Sequence, residues 1–310
     1  QPISRIARFD GQSWQPLGSG MSGGQGPTVY TLTTYRGDLI AGGAFRQAGG
    51  VTVSYIAGWD GAEWYPLSGP DGTGTDNGVS TLAVYDDTLF AGSSAFRQAG
   101  GVVVNYIAAW DGTGWSALPG PVTGLSSAAS GFGSVDAAVV WDGALIVAGQ
   151  FVTAGEQRVN RIARWDGATW QPLAGTFGTG VAGGVNALAV YQGDLIVAGR
   201  FDTAGGLTVN GIARWDGEQW WPLAGLNGAG LDFSATALAV YDGDLIVGGH
   251  FLNAGGVPAP YLARWDGAAW SALGPALNSS VAALAVYQGD LIVAGGFTAA
   301  GDTPTSRVGR

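Results

Sequence analysis

Apolar residues run along this chain in short stretches such as "ALAV" and "VAG", rich in Val, Ile and aromatics and bounded by turn residues. That pattern predicts strands and not helices. Stretches such as "YQGD" and "WDGAT" predict tight hairpin turns, with Gly supplying the positive φ that such turns need. Longer connections, of which "FDTAGGLTVN" is one, separate the second apolar run from the third, and a Gly-rich stretch follows each "PL".

The runs recur in groups of four. "NRIARWDGATWQPLAG" from Asn160 repeats as "SRIARFDGQSW", "SYIAGWDGAEW", "NYIAAWDGTGW", "NGIARWDGEQW" and "PYLARWDGAAW". Its leading aromatic falls at Phe9, Trp59, Trp110, Trp165, Trp215 and Trp265, at intervals of 50, 51, 55, 50 and 50 residues. The companion half, "VNALAVYQGDLIVAGRF" from Val185 to Phe201, likewise occurs in six versions. Four antiparallel strands per period of this length, repeated six times, predict an all-β chain folded as one six-bladed β-propeller over residues 1–310. Small residues suit the converging inner strands, and the paired tryptophans suit the outer ones. Packing is the expected role of the 13 Trp.

"ALAVYQGDLIVAG", a loop, and then "IARWDGATWQPL" resemble the kelch repeat, with its small-residue doublet, its aromatic–Asp turn and its late Trp before a Pro-containing segment. The "GxFxxAGG" that follows the second strand is similar to the kelch-like repeats of bacterial secreted proteins and fungal cortical polarity markers. The resemblance covers the whole chain. It implies a propeller that binds partners more than one that catalyses, although fold analogy carries function no further.

Charge narrows the partners. There are 23 Asp and Glu against 13 Arg and no Lys, a net charge of −10, which argues against nucleic acid or an anionic membrane surface. No apolar run is long enough to span a bilayer, so no membrane insertion is expected. The absence of Cys excludes disulfides and thiolate sites, and one His cannot build a multi-histidine metal centre. No metal or other cofactor is expected; galactose oxidase has a related propeller, but its metal ligands have no counterpart here. The sialidase Asp-box differs as well, because Asp166 lies four residues before Trp170 and not five. The chain opens on Gln1 with no charged-then-apolar leader, read as leader removal or as part of a longer chain. An acidic, Lys-free repeat protein fits an extracellular or cell-surface module.

Alternating strand direction puts the short uniform turns at one end of each blade and the variable connections at the other, where a protein or glycan ligand is expected. Before the repeated Phe stand Ala44, Ala95, Gln150, Arg200, His250 and Gly296. By the resemblance, residues there face the channel mouth, so Gln150, Arg200 and His250 would form a donor-rich patch, extended by Arg46 and Arg97 of the "FRQAGG" loops. Drifted, solvated rim residues are the competing reading. No catalytic residue is assigned. A lectin, or a glycoside hydrolase or lyase drawing a carboxylate pair from Asp76, Asp136, Asp202, Asp232 or Asp302, remains the alternative. "DGTGTDNG" at 71–78 lacks calcium-loop spacing, "NSS" at Asn278 matches the N-glycosylation pattern, and the "WDG" aspartates should cap their own turns.

The two chain ends repeat each other: "SRIAR" from Ser4 to Arg8 is restated by "SRVGR" from Ser306 to Arg310. The closing blade is therefore expected from both termini, residues 1–17 joining 281–310. In that blade Ser4, Ile6 and Arg8 hold the third-strand slot, because their hairpin brings Trp14 and Leu17 with it. Ser306, Val308 and Arg310 are then left over: as the start of a further repeat cut at Arg310, as a strand that displaces the N-terminal copy, or as a strand for a homo-oligomer or a filament by exchange with a neighbouring molecule.

Overall fold

The computed structural model describes residues 4–9, 13–24, 26–70, 72–118, 125–126, 133–225, 228–305 and 308–309. Every element there is a strand, as the short apolar runs require. The chain divides into two compact units, one of Gln1–Arg158 with Arg164–Gln171, the other of Val159–Ala163 with Pro172–Arg310.

In the first unit, Thr28–Tyr35, Asp38–Ala44, Ile56–Trp59 and Trp64–Pro66 form one antiparallel four-stranded sheet. Thr81–Tyr85, Thr88–Gly92, Ile107–Trp110 and Trp115–Ser116 form the next. Val135–Trp141 then pairs with Ala144–Gly149. The second unit repeats the plan with Val181–Tyr191, Asp194–Ala204, Ile212–Trp215 and Trp220–Pro222, and with Ala235–Tyr241, Asp244–Gly249, Leu262–Trp265 and Trp270–Ala272. Within each unit the first strands of successive repeats lie side by side. These strands stand at the edges of their sheets, so their apolar residues are only partly covered, Val190 at 39% and Val240 at 42% exposure.

Two devices fix each sheet to the next. The repeated Phe, at positions 45, 96, 151, 201, 251 and 297, is buried throughout. The late Trp is buried in four repeats where its indole N–H donates to the "PL" carbonyl one repeat earlier: Trp64 to Leu17 at 3.0 Å, Trp115 to Leu67 at 3.1 Å, Trp220 to Leu173 at 3.1 Å and Trp270 to Leu223 at 2.9 Å. In each of these repeats its ring lies against the earlier Trp in a tilted pair, with centroids 5.1 Å apart for Trp215 and Trp220. Trp170 keeps the tilted pairing with Trp165, but its Nε1 has no acceptor among the described residues.

The "AGG" connections are less irregular than the sequence suggests. Each folds into a two-residue ladder, such as Gln98–Ala99 on Val102–Val103 and Asn253–Ala254 on Val257–Pro258. Gly205, at φ +53°, turns one of them, and a Cβ there would lie 2.3 Å from Trp220 Cδ1, so only glycine fits.

The termini depart from expectation. Val281–Tyr287 and Asp290–Gly295 carry Val308–Gly309 as their third strand, with Val293 opposite Gly309 and Ala294 opposite Val308. Among the described residues Ala7–Phe9 pairs only with Trp14–Pro16. The N-terminal copy therefore does not hold the slot assigned to it. It is anchored in the first unit instead: Ile6 and Leu17 are buried with Met21, Phe45 and Trp64, and the Ser4 carbonyl accepts from Met21 N. Arg8 is exposed on this hairpin, while Ser306 and Arg310 lie outside the described residues.

Candidate functional site

In the second unit the hairpin of Val181–Tyr191 and Asp194–Ala204 runs 11 residues on each side, longer than the six- or seven-residue strands of the next repeat. The extension carries Arg200, Phe201 and Asp202. Because side chains alternate along a strand, Phe201 enters the core and Arg200 and Asp202 emerge together on the opposite face. Gly183 makes room opposite them: a Cβ on it would lie 2.1 Å from the Arg200 carbonyl oxygen.

Arg200 and Asp202 open into a cavity of about 520 Å³ that Asn210, Asp232, Phe233 and Ser234 also line. Phe233 is 53% exposed, and the Arg200 guanidinium carbon sits 5.6 Å from its ring centroid. The Asp202 carboxylate makes no hydrogen bond to a described residue, and only its backbone carbonyl is engaged, by Val209 N and Asn210 N. The cavity thus combines a guanidinium, an uncommitted carboxylate and an open aromatic face.

Asp232 is differently employed. Its Oδ1 accepts from Leu252 N at 2.8 Å and Asn253 N at 3.0 Å, and its Oδ2 accepts from Asn253 Nδ2 at 2.7 Å. Burial pushes this carboxyl up, but the hydrogen bonds from Asn253 and Leu252 outweigh it and hold it below the usual carboxylate range. The same task recurs elsewhere. Asp76 Oδ1 accepts from Arg97 N, and Asn278 Oδ1 accepts from Thr298 N and Ala299 N. Since an amide serves as well as a carboxylate, the position needs an acceptor and not a charge. Asn278, the residue of the glycosylation pattern, also donates from Nδ2 to Thr298 Oγ1.

The other candidates divide between the two units. Gln150 is exposed in the first unit, its backbone N donating to Ser134 O and Oγ. His250 is exposed in the second unit and its backbone N donates to Ser234 O, but its side chain is not part of the cavity wall around Arg200. Arg46 lies over the Tyr55 ring at 4.3 Å and donates to its hydroxyl; Arg97 does the same with Tyr106 at 4.4 Å. Both arginines thus brace their own loops. Asp302 is exposed in the turn between Ala299–Ala300 and Thr303–Pro304.

Asp136 is a partly buried carboxylate of the first unit. Burial pushes its carboxyl up, against the Ser134 hydroxyl that donates to Oδ2 at 2.7 Å. It stands at an irregularity in strand register between Val135 and Ala137, and Asn186 and Thr236 stand at the equivalent irregularities. Those two donate onward, Asn186 to Ala235 O at 2.7 Å and Thr236 to the Val281 carbonyl. A bulge at this point re-aims the side chain toward the following repeat.

The "WDG" aspartates cap their turns as expected. Asp60, Asp166 and Asp266 each accept from the backbone N–H groups two and three residues on, which holds these carboxyls below their ordinary range. Among the described residues no cluster of His, Asp and Glu could hold a metal ion, and no helix is long and apolar enough to cross a membrane. In the 72–78 loop Thr75 Oγ1 donates to Asn77 O, Gly78 N donates to Asn77 Oδ1, and Asp76 Oδ1 is taken by Arg97 N.

Phe233 and Asn210 were not singled out by sequence. Phe233 had a readable signal, an aromatic where the equivalent loops carry Asn77 and Ser279.

Comparison with known proteins gives the class. The model of a β-propeller domain of unknown function, DUF5122, matches residues 242–265. No curated protein matches the chain. Among solved structures, the computationally designed Ika8 protein is similar at 13% identity and a TM-score of 0.49, over 88% of this chain and 70% of that one. The extracellular domain of a hybrid two-component system from B. thetaiotaomicron is similar at 10% identity and a TM-score of 0.45, and the match spans 88% of this chain but only 38% of that one. The chain is thus all-β, built of successive antiparallel sheets, and its residues 242–265 match the model of a β-propeller domain.

Proposed function

We propose that the chain is a non-enzymatic, kelch-like, six-bladed propeller, secreted or displayed at the cell surface, whose loop-face cavity binds a saccharide unit. The carrying observation is the convergence of Arg200, Asp202 and exposed Phe233 on one cavity of about 520 Å³. A sugar ring offers an apolar C–H face to an aromatic and neighbouring hydroxyls to a carboxylate and a guanidinium, and the wall supplies both. Six copies of each repeat half support the blade number. Glycosidase chemistry is disfavoured, because it needs two carboxyl groups with separate tasks and Asp232 is committed to Leu252 and Asn253.

A glycan array run with the wild type and with an Arg200→Ala, Asp202→Ala variant tests the reading. Hits that weaken at least about tenfold in the variant, with an unchanged melting point, are expected, since exposed substitutions cost within about 0.5 kcal/mol of stability. An empty array would defeat the saccharide assignment. Turnover of a polysaccharide that vanishes with Asp202→Asn would defeat the non-enzymatic one.

A further inference from the structure

One residue of the second unit departs from its siblings beside the short turns. The residue that follows the late tryptophan is Gln15, Tyr65, Ser116, Gln171, Trp221 and Ser271 in chain order. Tyr65 lies on its own sheet: a Cβ on Gly58, its partner across the strands, would sit 2.1 Å from Tyr65 Cζ, and the Tyr65 hydroxyl donates to Asp38 Oδ2 at 2.5 Å. Arg214 is the corresponding partner of Trp221, and it takes the aspartate itself, Nη1 donating to Asp194 Oδ2 at 2.9 Å. With Arg214 on the sheet, Trp221 stands off it and is 43% exposed.

No structural task requires an indole at this position. Trp221 Nε1 donates to Asp216 Oδ2 at 2.6 Å, but Gln171 Nε2 makes the same bond to Asp166 Oδ2 at 2.9 Å. The fifth repeat keeps its Arg264–Asp244 pair with only Ser271 there. What the indole adds is an aromatic face, fixed by its N–H and turned to a cavity of about 290 Å³ inside the second unit, which Gln192, Asp194, Arg214 and the Gly267–Ala268 turn also line. The Arg214 guanidinium carbon lies 5.7 Å from the Trp221 ring centroid. Asp194 Oδ1, Arg214 Nε and Nη2, and Gln192 Oε1 make no hydrogen bond to a described residue.

We propose that this cavity is a second saccharide site, in which one sugar ring lies on Trp221 and sets neighbouring hydroxyls against the Asp194–Arg214 pair. The two charges compensate each other, so a bare cation or a bare anion would have to part them. A neutral hydroxyl both donates and accepts, and adjacent hydroxyls meet the free carboxylate oxygen and the free guanidinium N–H groups with the pair intact. The apolar C–H face of the ring covers the indole. At about 290 Å³ the cavity stands at the small end for ligand sites, which suits one ring. The inference rests on the saccharide reading for the class of ligand alone, since the two cavities share no lining residue. Asp194 and Arg200 are six residues apart on the strand Asp194–Ala204, about 20 Å at 3.3 Å per residue, so the sites take separate sugar units and the chain is bivalent.

The test uses the full chain labelled with 5-fluorotryptophan and followed by fluorine NMR, the Trp221 resonance being the one lost in Trp221→Gln, which keeps a donor for Asp216 as Gln171 does for Asp166. The probes are cellohexaose, maltohexaose, xylohexaose and chitohexaose, with tetramethylammonium and acetate as the bare cation and anion. At least one oligosaccharide should move the Trp221 resonance and saturate it near about 1 mM, and neither ion should. Arg214→Met and Asp194→Asn, each confirmed as folded by circular dichroism, should weaken that titration about tenfold or more, while the Arg200→Ala, Asp202→Ala variant should leave it within about twofold. A Trp221 resonance that no oligosaccharide moves overturns the proposal, whatever the Arg200 cavity does. So does one that responds equally to either ion, or whose response disappears in the Arg200→Ala, Asp202→Ala variant. A Trp221 response that persists while that variant loses nothing on the glycan array supports this site and defeats the loop-face one.

Discussion

Replacing Trp220 by Phe isolates the staple that joins one repeat to the next. Trp220 is 1% exposed, its ring packs 5.1 Å from that of Trp215, and its N–H meets the Leu173 carbonyl at 3.1 Å. Phe keeps an aromatic ring but loses the donor, stranding a buried carbonyl at a cost of about 1–3 kcal/mol. It is also smaller by roughly 40 Å³, which at about 24 cal/mol per Å³ of unrelaxed cavity adds about 1 kcal/mol. The sum is a loss of about 2–4 kcal/mol, large against the 5–15 kcal/mol on which folded domains subsist. Trp14→Phe is the internal control. At 64% exposure it should stay within about 0.5 kcal/mol of the wild type. Urea titrations followed by circular dichroism, at a dilution where the chain is monomeric, read both. A Trp220→Phe loss under about 1 kcal/mol would refute the staple. A Trp14→Phe loss as large as that of Trp220→Phe would show that the N-terminal hairpin is buried in its own chain, as the sequence alone led one to expect.

Gly205→Ala places a Cβ 2.3 Å from Trp220 Cδ1 at φ +53°, and should cost about 2 kcal/mol or more; Gly193→Ala, at φ +90° with nothing within 4 Å, should cost only the backbone strain of about 1 kcal/mol. Asp136 is raised by burial, so between its unfolded and folded pKa the native chain holds the extra proton and stability falls as pH rises through that window. Asp136→Asn should therefore melt higher than the wild type at neutral pH and lose that advantage below about pH 3.9, where both states are protonated; an equal gain at both pH values would show that charge is not its cause.

The repeat was legible because packing repeats. Phe at each sheet and the tryptophan pairs are demanded by the same cavity in every unit, so their spacing alone gave strands, turns and period. The termini were not legible for a related reason. Ser4–Arg8 and Ser306–Arg310 are near-copies, and a sequence that contains two candidates for one slot does not rank them. Ranking by apolar content favoured the hairpin with Trp14 and Leu17, but Leu17 is spent inside the first unit, where its carbonyl accepts from Trp64. Arg46 and Arg97 were read from charge alone, without the Tyr55 and Tyr106 rings on which they lie.

Internal comparison separates scaffold from site more sharply than residue type does. Asp232 and Asp202 are both carboxylates on one cavity wall, and chemistry alone would make them partners. Asp232, however, does what Asp76 and Asn278 do in their own repeats: it accepts backbone N–H groups of the facing loop, a role that survives exchange of carboxylate for amide. A position whose task is the same in three repeats belongs to the architecture. Arg200 and Phe233 are the reverse case, replaced by Ala44 and Asn77 in the first unit, where the matching cavity of about 460 Å³ is lined by Tyr30, Gly78 and small polar groups in place of an ion pair's worth of charge. Nothing in the ladder or the staple requires an arginine or an aromatic there. Recognition in a repeat fold of this kind is therefore to be sought where one unit departs from its siblings without a structural reason, and Arg200, Asp202 and Phe233 depart together around a single cavity.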